Sequence, residues 1–307
     1  MRLAALLTLA LLTGCQSVKD LAVDTVVAGR RDAAGLESRA ATVDGRRVAF
    51  LERRGRGPAL VLLHGFGAQK DAWLGFADAL PSGRRLLIPD LPGHGGSDAG
   101  PGDYGARRLA DEVGAWLAAT DSGPVDLAGN SLGGLVATLV AAEAPGLVRR
   151  IVLMDPAGVP APRRSGLDSL LATGAPPGGD GAANPLIPTT RADYDRLVAL
   201  AFARDPGIPG PARDVLAAET RDRAPFLRAL FANLQGARGD LRPILPTVRQ
   251  PALVIWGERD RVLDPSAAPL WVEALPDARL VLLPGIGHAP MMEAPDETAR
   301  LTSDFLR

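Results

Sequence analysis

The chemistry-bearing residues of this 307-residue chain gather first at Leu127-Ala128-Gly129-Asn130-Ser131-Leu132-Gly133-Gly134. A serine stands two residues from a glycine on either side, the G-x-S-x-G spacing. An apolar run, Val125 to Ala128, precedes it, and a helix-favouring run, Leu132 to Ala144, follows. A sharp strand-to-helix turn is the context in which this spacing presents a reactive hydroxyl. The turn strains the serine backbone, and a side chain at Gly129 or Gly133 would collide with neighbouring main chain. Beneath the serine Oγ would lie the Leu132 amide and the positive end of a helix dipole.

A serine hydroxyl is a poor nucleophile without a base, an acid to orient that base and donors for the oxyanion. The chain has three histidines. His64 precedes Gly65-Phe66-Gly67, His94 sits in the glycine-rich run Asp90 to Ser97, and His288 lies in Gly285-Ile286-Gly287-His288-Ala289-Pro290. All three follow expected strands, where sites of open parallel sheets form. The order serine, acid, histidine selects His288, which alone comes after Ser131. For the acid, Asp260 just past the run ending at Trp256 is preferred. Asp155, after Met154, is the alternative, and Glu258 and Asp264 are less well placed. The oxyanion donors are expected to be the Leu132 N–H and the Phe66 N–H. His64, His94 and Ser97 read as structural. Phe66, Trp73, Leu132, Met291 and Met292 are suited either to an apolar acyl pocket or to the core. One cysteine and three dispersed histidines form no ligand cluster, so no metal and no cofactor are expected.

The elements that must position these residues alternate. Thr42 to Leu51 reads as a hairpin turned by Asp44-Gly45, and Gly55 to Pro58 as a turn. Strands are expected at Ala59–Leu63, Arg85–Pro89, Val125–Ala128, Arg150–Met154, Ala252–Trp256 and Arg279–Leu283. Helices fall between them, near Lys70–Leu80, Tyr104–Ala119, Ala267–Leu275 and Glu297–Leu306. This is the pattern of a doubly wound parallel sheet with right-handed crossovers. Residues 159–250 interrupt it, too long for a loop. They read as an inserted helical cap, with a Pro/Gly-rich part at Ala175–Pro188 and helices at Arg191–Arg204, Ala212–Thr220 and Pro225–Leu234. Residues 41–158 and 251–307 form the core.

A net charge of −1 gives no sign of a nucleic-acid partner, and none is expected. Met1-Arg2 and the apolar stretch Leu3 to Leu12 have the form of a secretory signal, too short to span a bilayer. Leu12-Thr13-Gly14-Cys15 resembles the bacterial lipobox, which implies a signal peptide over residues 1–15 and a lipidated Cys15. Gln16 is not the aspartate typical of inner-membrane retention, so the expected location is the cell envelope, at the outer membrane facing the periplasm. Residues 16–40 are expected to be a tether, helical or loose, with Val18, Leu21 and Thr25 on one face.

Taken together, His64-Gly65-Phe66-Gly67, Asp90 to Ser97, Gly129 to Gly134, Gly257-Glu258-Arg259-Asp260 and Gly287-His288 resemble the α/β-hydrolase family. The resemblance spans about Ala41 to Arg307. It implies eight core strands, a helical cap and a Ser-His-Asp triad matching Ser131, His288 and Asp260. His64 to Trp73 and Leu153 to Gly158 look like the bacterial lipase and monoacylglycerol lipase branch, which implies an ester or lipid ester substrate. Gly129 to Gly133 is shared more loosely with meta-cleavage carbon–carbon hydrolases. A catalytically silent envelope lipoprotein is the rival from outside enzymology.

Overall fold

The computed structural model of the protein describes residues 16–100, 104–120, 122–172, 184–234 and 240–307. Eight strands form one sheet: β1 (Glu37–Val43), β2 (Arg46–Arg53), β3 (Arg56–Leu63), β4 (Arg84–Pro89), β5 (Val125–Asn130), β6 (Val148–Met154), β7 (Ala252–Gly257) and β8 (Ala278–Leu283). Their spatial order is β1-β2-β4-β3-β5-β6-β7-β8. β2 runs antiparallel to both neighbours, and every pairing from β4 to β8 is parallel.

Continuous apolar runs suit strands covered on both faces, and the two-residue alternation of side chains divides them between two cores. Val61, Leu63, Leu127, Leu153 and Val254 join one layer with α3 (Ala106–Ala119), α4 (Leu132–Glu143) and α8 (Ala268–Ala274). Leu60, Leu62, Val152, Met154 and Ile255 join the other with α2 (Leu74–Ala79) and α10 (Pro295–Phe305). α3 buries one stripe, Leu109, Val113 and Trp116. α4 is buried from Leu132 to Ala141, as a helix apolar on all sides must be. The hairpin turn is Asp44-Gly45, both with positive φ (49° and 76°), which matches the strand twist.

Three expectations are corrected. Arg56 to Pro58 is strand, not turn: the Arg56 N–H donates to Gly83 O, and Arg56 pairs with Arg84 across a register irregularity before Leu60. Gly57, with φ 73°, accommodates that irregularity. The insertion between β6 and β7 carries α5 (Gly166–Ala172), α6 (Arg191–Ala201) and α7 (Gly210–Leu234). α7 merges the two helices expected on either side of Pro225. A proline inside a helix costs about 3 kcal/mol, yet Ala224, Leu227 and Leu230 carry the buried face of α7 straight past it. The third correction is at the N-terminus. α1 (Gln16–Ala33) leads into β1 at Glu37, inside the span expected to be tether. Its Leu21 is 63% exposed and Thr25 is exposed too. Instead, half-buried Val27 packs on the second core. Lys19 pairs with Asp214 of α7 at 2.9 Å, and Arg31 grips Asp71 through two bonds of 2.7 and 2.6 Å. No helix among the described residues is long and apolar enough to cross a membrane. The expected signal segment with Cys15, and 175–183 of the Pro/Gly-rich stretch, lie outside the described residues.

Candidate active site

Ser131 sits between β5 and α4 with φ 53° and ψ −117°, a conformation costing a non-glycine residue on the order of 1–3 kcal/mol. Its surroundings impose it. The Ser131 N–H donates to Met154 O, and the Ser131 carbonyl accepts from Gly134, Leu135 and Ala157 N–H at 3.0–3.1 Å. The flanking glycines are required by contact. A Cβ at Gly129 would lie 2.2 Å from Gly133 O, and one at Gly133 would lie 2.2 Å from Leu63 O.

His288 and Asp260 come together from adjacent loops, after β8 and β7. His288 Nδ1 lies 2.7 Å from Asp260 Oδ2. A carboxylate can only accept, so Nδ1 carries the hydrogen and Nε2 is left as an acceptor. Asp260 Oδ1 accepts from Val262 and Leu263 N–H at 2.8 and 3.0 Å. Both side chains are buried, at 4% and 8% exposure. Asn130, beside the serine, donates its Nδ2 hydrogens to His288 O (3.0 Å) and Met154 O (3.1 Å). This amide ties the serine turn to the histidine loop. A side-chain amide at the buried end of β5, directly before the serine, was the available sequence signal for it. The His288 N–H donates to Ala201 O at 2.7 Å, at the end of α6. Glu293, on α9 (Pro290–Glu293), bridges the same two segments by accepting from Gly287 and Ala203 N–H, both at 2.9 Å. Burial raises its carboxyl, and those amides oppose the rise. Sequence reasoning missed both Asn130 and Glu293.

The alternative acid, Asp155, is fully buried beside this pair and has φ 46°. Its Oδ1 accepts from Gly257 N–H. Burial, then the Asp260 charge, pushes its carboxyl well above the usual range. Asp155, Asp260 and His288 are the one grouping of the described residues with metal-ligand character, but His288 Nδ1 and Asp260 Oδ2 are already spent on each other.

Leu132 opens α4, so its N–H has no intrahelical acceptor. Phe66 follows β3, in the loop facing that helix end. The loop is held by the other two histidines. His64 Nε2 accepts from Leu91 N–H at 2.9 Å, and its Nδ1 donates to Gly65 O at 2.8 Å. His94 Nε2 accepts from Gly67 N–H at 3.3 Å, and its Nδ1 donates to Pro92 O. Burial lowers both imidazoles, His94 to about 3. With both ring nitrogens occupied, neither ring is free to act as a base. Asp90 anchors the same region through Lys70 and Gly96, and Ser97 bonds main chain of Asp90 and Ala49. Burial would raise the Asp90 carboxyl, but the Lys70 charge, the His64 ring and the hydrogen bonds from Lys70 together hold it low. The cap closes over this loop. The Phe66 ring meets Phe231 edge-on at 5.8 Å, Phe226 meets His94 and Tyr104, and Arg223 donates to Gly95 O. Trp73 and Met291 do not face this cap contact; both are buried in the second core, Trp73 edge-on to Phe76.

The profile of the alpha/beta hydrolase fold family matches residues 58–295. The monoacylglycerol lipase abhd6-B of Xenopus laevis is 31% identical over 82% of this chain and 76% of its own length. Lipase 3 of Moraxella sp. (strain TA144) is 30% identical over 97% of this chain and 94% of its own. Among solved structures, a membrane phospholipase A described as a bacterial virulence factor superposes with a TM-score of 0.88. It is 35% identical and covers 99% of this chain and 96% of its own.

Proposed function

This chain belongs to the alpha/beta hydrolase fold family, as a lipase/esterase-type hydrolase of carboxylic esters, and we propose that it works through an acyl-enzyme on Ser131, His288 and Asp260. His288 Nε2 takes the Ser131 proton as Oγ attacks the ester carbonyl. The Phe66 and Leu132 amides receive the oxyanion, and loss of one such donor costs roughly a hundredfold or more in turnover. His288 returns the proton to the departing alcohol and then activates the water that frees the acid. Asp260 holds the imidazole tautomer and stabilises the imidazolium. The observation carrying this reading is the 2.7 Å His288–Asp260 contact, reached through a loop that Asn130 ties to the serine turn. No cofactor enters the scheme.

The substrates we assign are lipid esters, monoacylglycerols included, in keeping with the lipases among the relatives. We take the core as residues 37–158 and 251–307, beginning at β1, with 159–250 as the cap over the site. Lipidation of Cys15, with residues 1–14 removed so that Cys15 becomes the first residue, would hold the protein in the bacterial envelope, at the outer membrane facing the periplasm. A membrane phospholipase among the similar structures supports membrane association.

Ser131→Ala should abolish hydrolysis of p-nitrophenyl butyrate and labelling by a fluorophosphonate while leaving the fold intact. Retained hydrolysis would sink the serine mechanism. Activity confined to a vinylogous diketone would transfer the triad to carbon–carbon cleavage. A folded wild-type protein inert to the probe would mean a silent site.

A further inference from the structure

Two carboxyl groups meet in one buried corner of the site. Asp155, Asp260 and His288 place their nearest carboxylate oxygens and ring nitrogen within 4.8 Å of one another, and all three residues are buried. Two like charges so close in a dry site do not both persist, and one carboxyl keeps its proton. Hydrogen-bond partners decide which. Asp260 accepts three N–H donors, from His288, Val262 and Leu263. Asp155 accepts one, from Gly257, at Oδ1. Its Oδ2 is buried with no donor pointed at it. An oxygen that finds no donor, next to an oxygen that can accept, is where a hydroxyl belongs.

The backbone supports this placement. Asp155 has φ 46°, although it is not glycine. Its N–H is fixed on Ile255 O at 2.9 Å, on the neighbouring strand that leads to Asp260. β6 and β7 thus deliver the two aspartates side by side. The largest charges bearing on Asp155 are those of Asp260 and, more weakly, Glu293, both negative and both opposing its ionisation. The His288 ring already bonds Asp260 and leaves Asp155 no share of Nδ1.

We propose that Asp155 is a neutral carboxylic acid whose Oδ2–H donates to the Asp260 carboxylate and holds it in register with His288. Asp155 is then a positioning residue: the proton stays on it, and it touches no substrate. A fourth donor on Asp260 engages the lone pairs left open by His288, Val262 and Leu263, so the carboxylate has no other orientation of equal energy. The inference rests on the triad proposed above.

Asp155→Asn keeps the size, the Gly257 contact and an N–H directed at Asp260, whereas Asp155→Val keeps the bulk and removes the donor. With p-nitrophenyl butyrate, Asp155→Asn should retain kcat within about threefold, and Asp155→Val should lose about tenfold or more in kcat with little change in KM, the scale of one hydrogen bond to a charged group. The infrared difference between wild type and Asp155→Asn at neutral pH should contain the stretch of a protonated carboxyl. Absence of that band, or equal losses in the two variants, overturns the proposal. If Asp155→Val fails to fold, the band and the Asp155→Asn rate decide. If Asp260→Asn stays active while Asp155→Asn does not, Asp155 is the acid itself and the proposal falls. The band does not depend on turnover, so an active Ser131→Ala would sink the serine mechanism without touching it.

Discussion

His94 stays neutral over most of the acid range, and that has a consequence for stability. Burial, reinforced by the neighbouring His64, holds its imidazole down to about 3. In the unfolded chain it protonates near 6.5. Between those values the unfolded state binds the extra proton, so stability is full above about pH 6.5 and falls as pH drops towards 3, by up to about 1.4 kcal/mol per unit. His94→Gln can still accept from Gly67 and has no such proton to gain. Urea unfolding from pH 7 to pH 4 should therefore show a shallower loss for the variant; equal slopes would refute the assignment. At this scale the sequence was legible where type and order sufficed. Ser131 and His288 follow from one pentapeptide and one position in the chain. Asp260 and Asp155 could be nominated but not ranked with certainty by order alone, since adjacent strands carry both to the same corner. The preference for Asp260 gains support from a loop whose Val262 and Leu263 amides turn towards Asp260 and not Asp155.

Between elements, the cap is attached where a free lid would not be. The His288 N–H rests on Ala201 O, Arg261 donates to Phe202 O, and Glu293 holds Gly287 and Ala203 together. The end of α6 is therefore part of the mounting of the histidine loop. Glu293→Ala should lower kcat more than it raises KM, by about tenfold, since two part-buried amides lose their acceptor. Hydrogen exchange at Ala203 and Gly287 should rise with it. Unchanged exchange there would show that the clamp is not needed. The strands and their order of appearance were readable because apolar runs of four to six residues recur between helical stretches. The cap was harder to read. Pro225 signals a break that the packing of Ala224, Leu227 and Leu230 overrides, and Gly57 signals a turn where β3 only buckles. In both places long-range contacts outweigh a local preference, and a sequence does not display its long-range contacts.

On the scale of the whole molecule, α1 adds a second tie between the cap and the core. Lys19 reaches α7 of the cap, and Arg31 reaches Asp71 beside the buried Lys70 that secures the loop of Phe66. The residue before this helix is Cys15, the proposed lipid attachment point. Mass spectrometry of the protein extracted from membranes of a bacterial host should find acyl chains on a chain beginning at Cys15. Cys15→Ser should carry none. An unmodified Cys15 on a chain still starting at Met1 would overturn the anchor.

The docking of α1 also determines how such an anchor would behave. Its 18 residues measure about 27 Å as helix, and they are fastened to the body at both ends. A flexible leash would let the body sweep a volume. A fastened helix works as a bracket, with height and tilt fixed by the protein. With Cys15 acylated as proposed, encounter with substrate would become a search in two dimensions, paced by lateral diffusion in the leaflet holding the acyl chains. The effective concentration would then be set by the composition of that leaflet and not by the surrounding fluid.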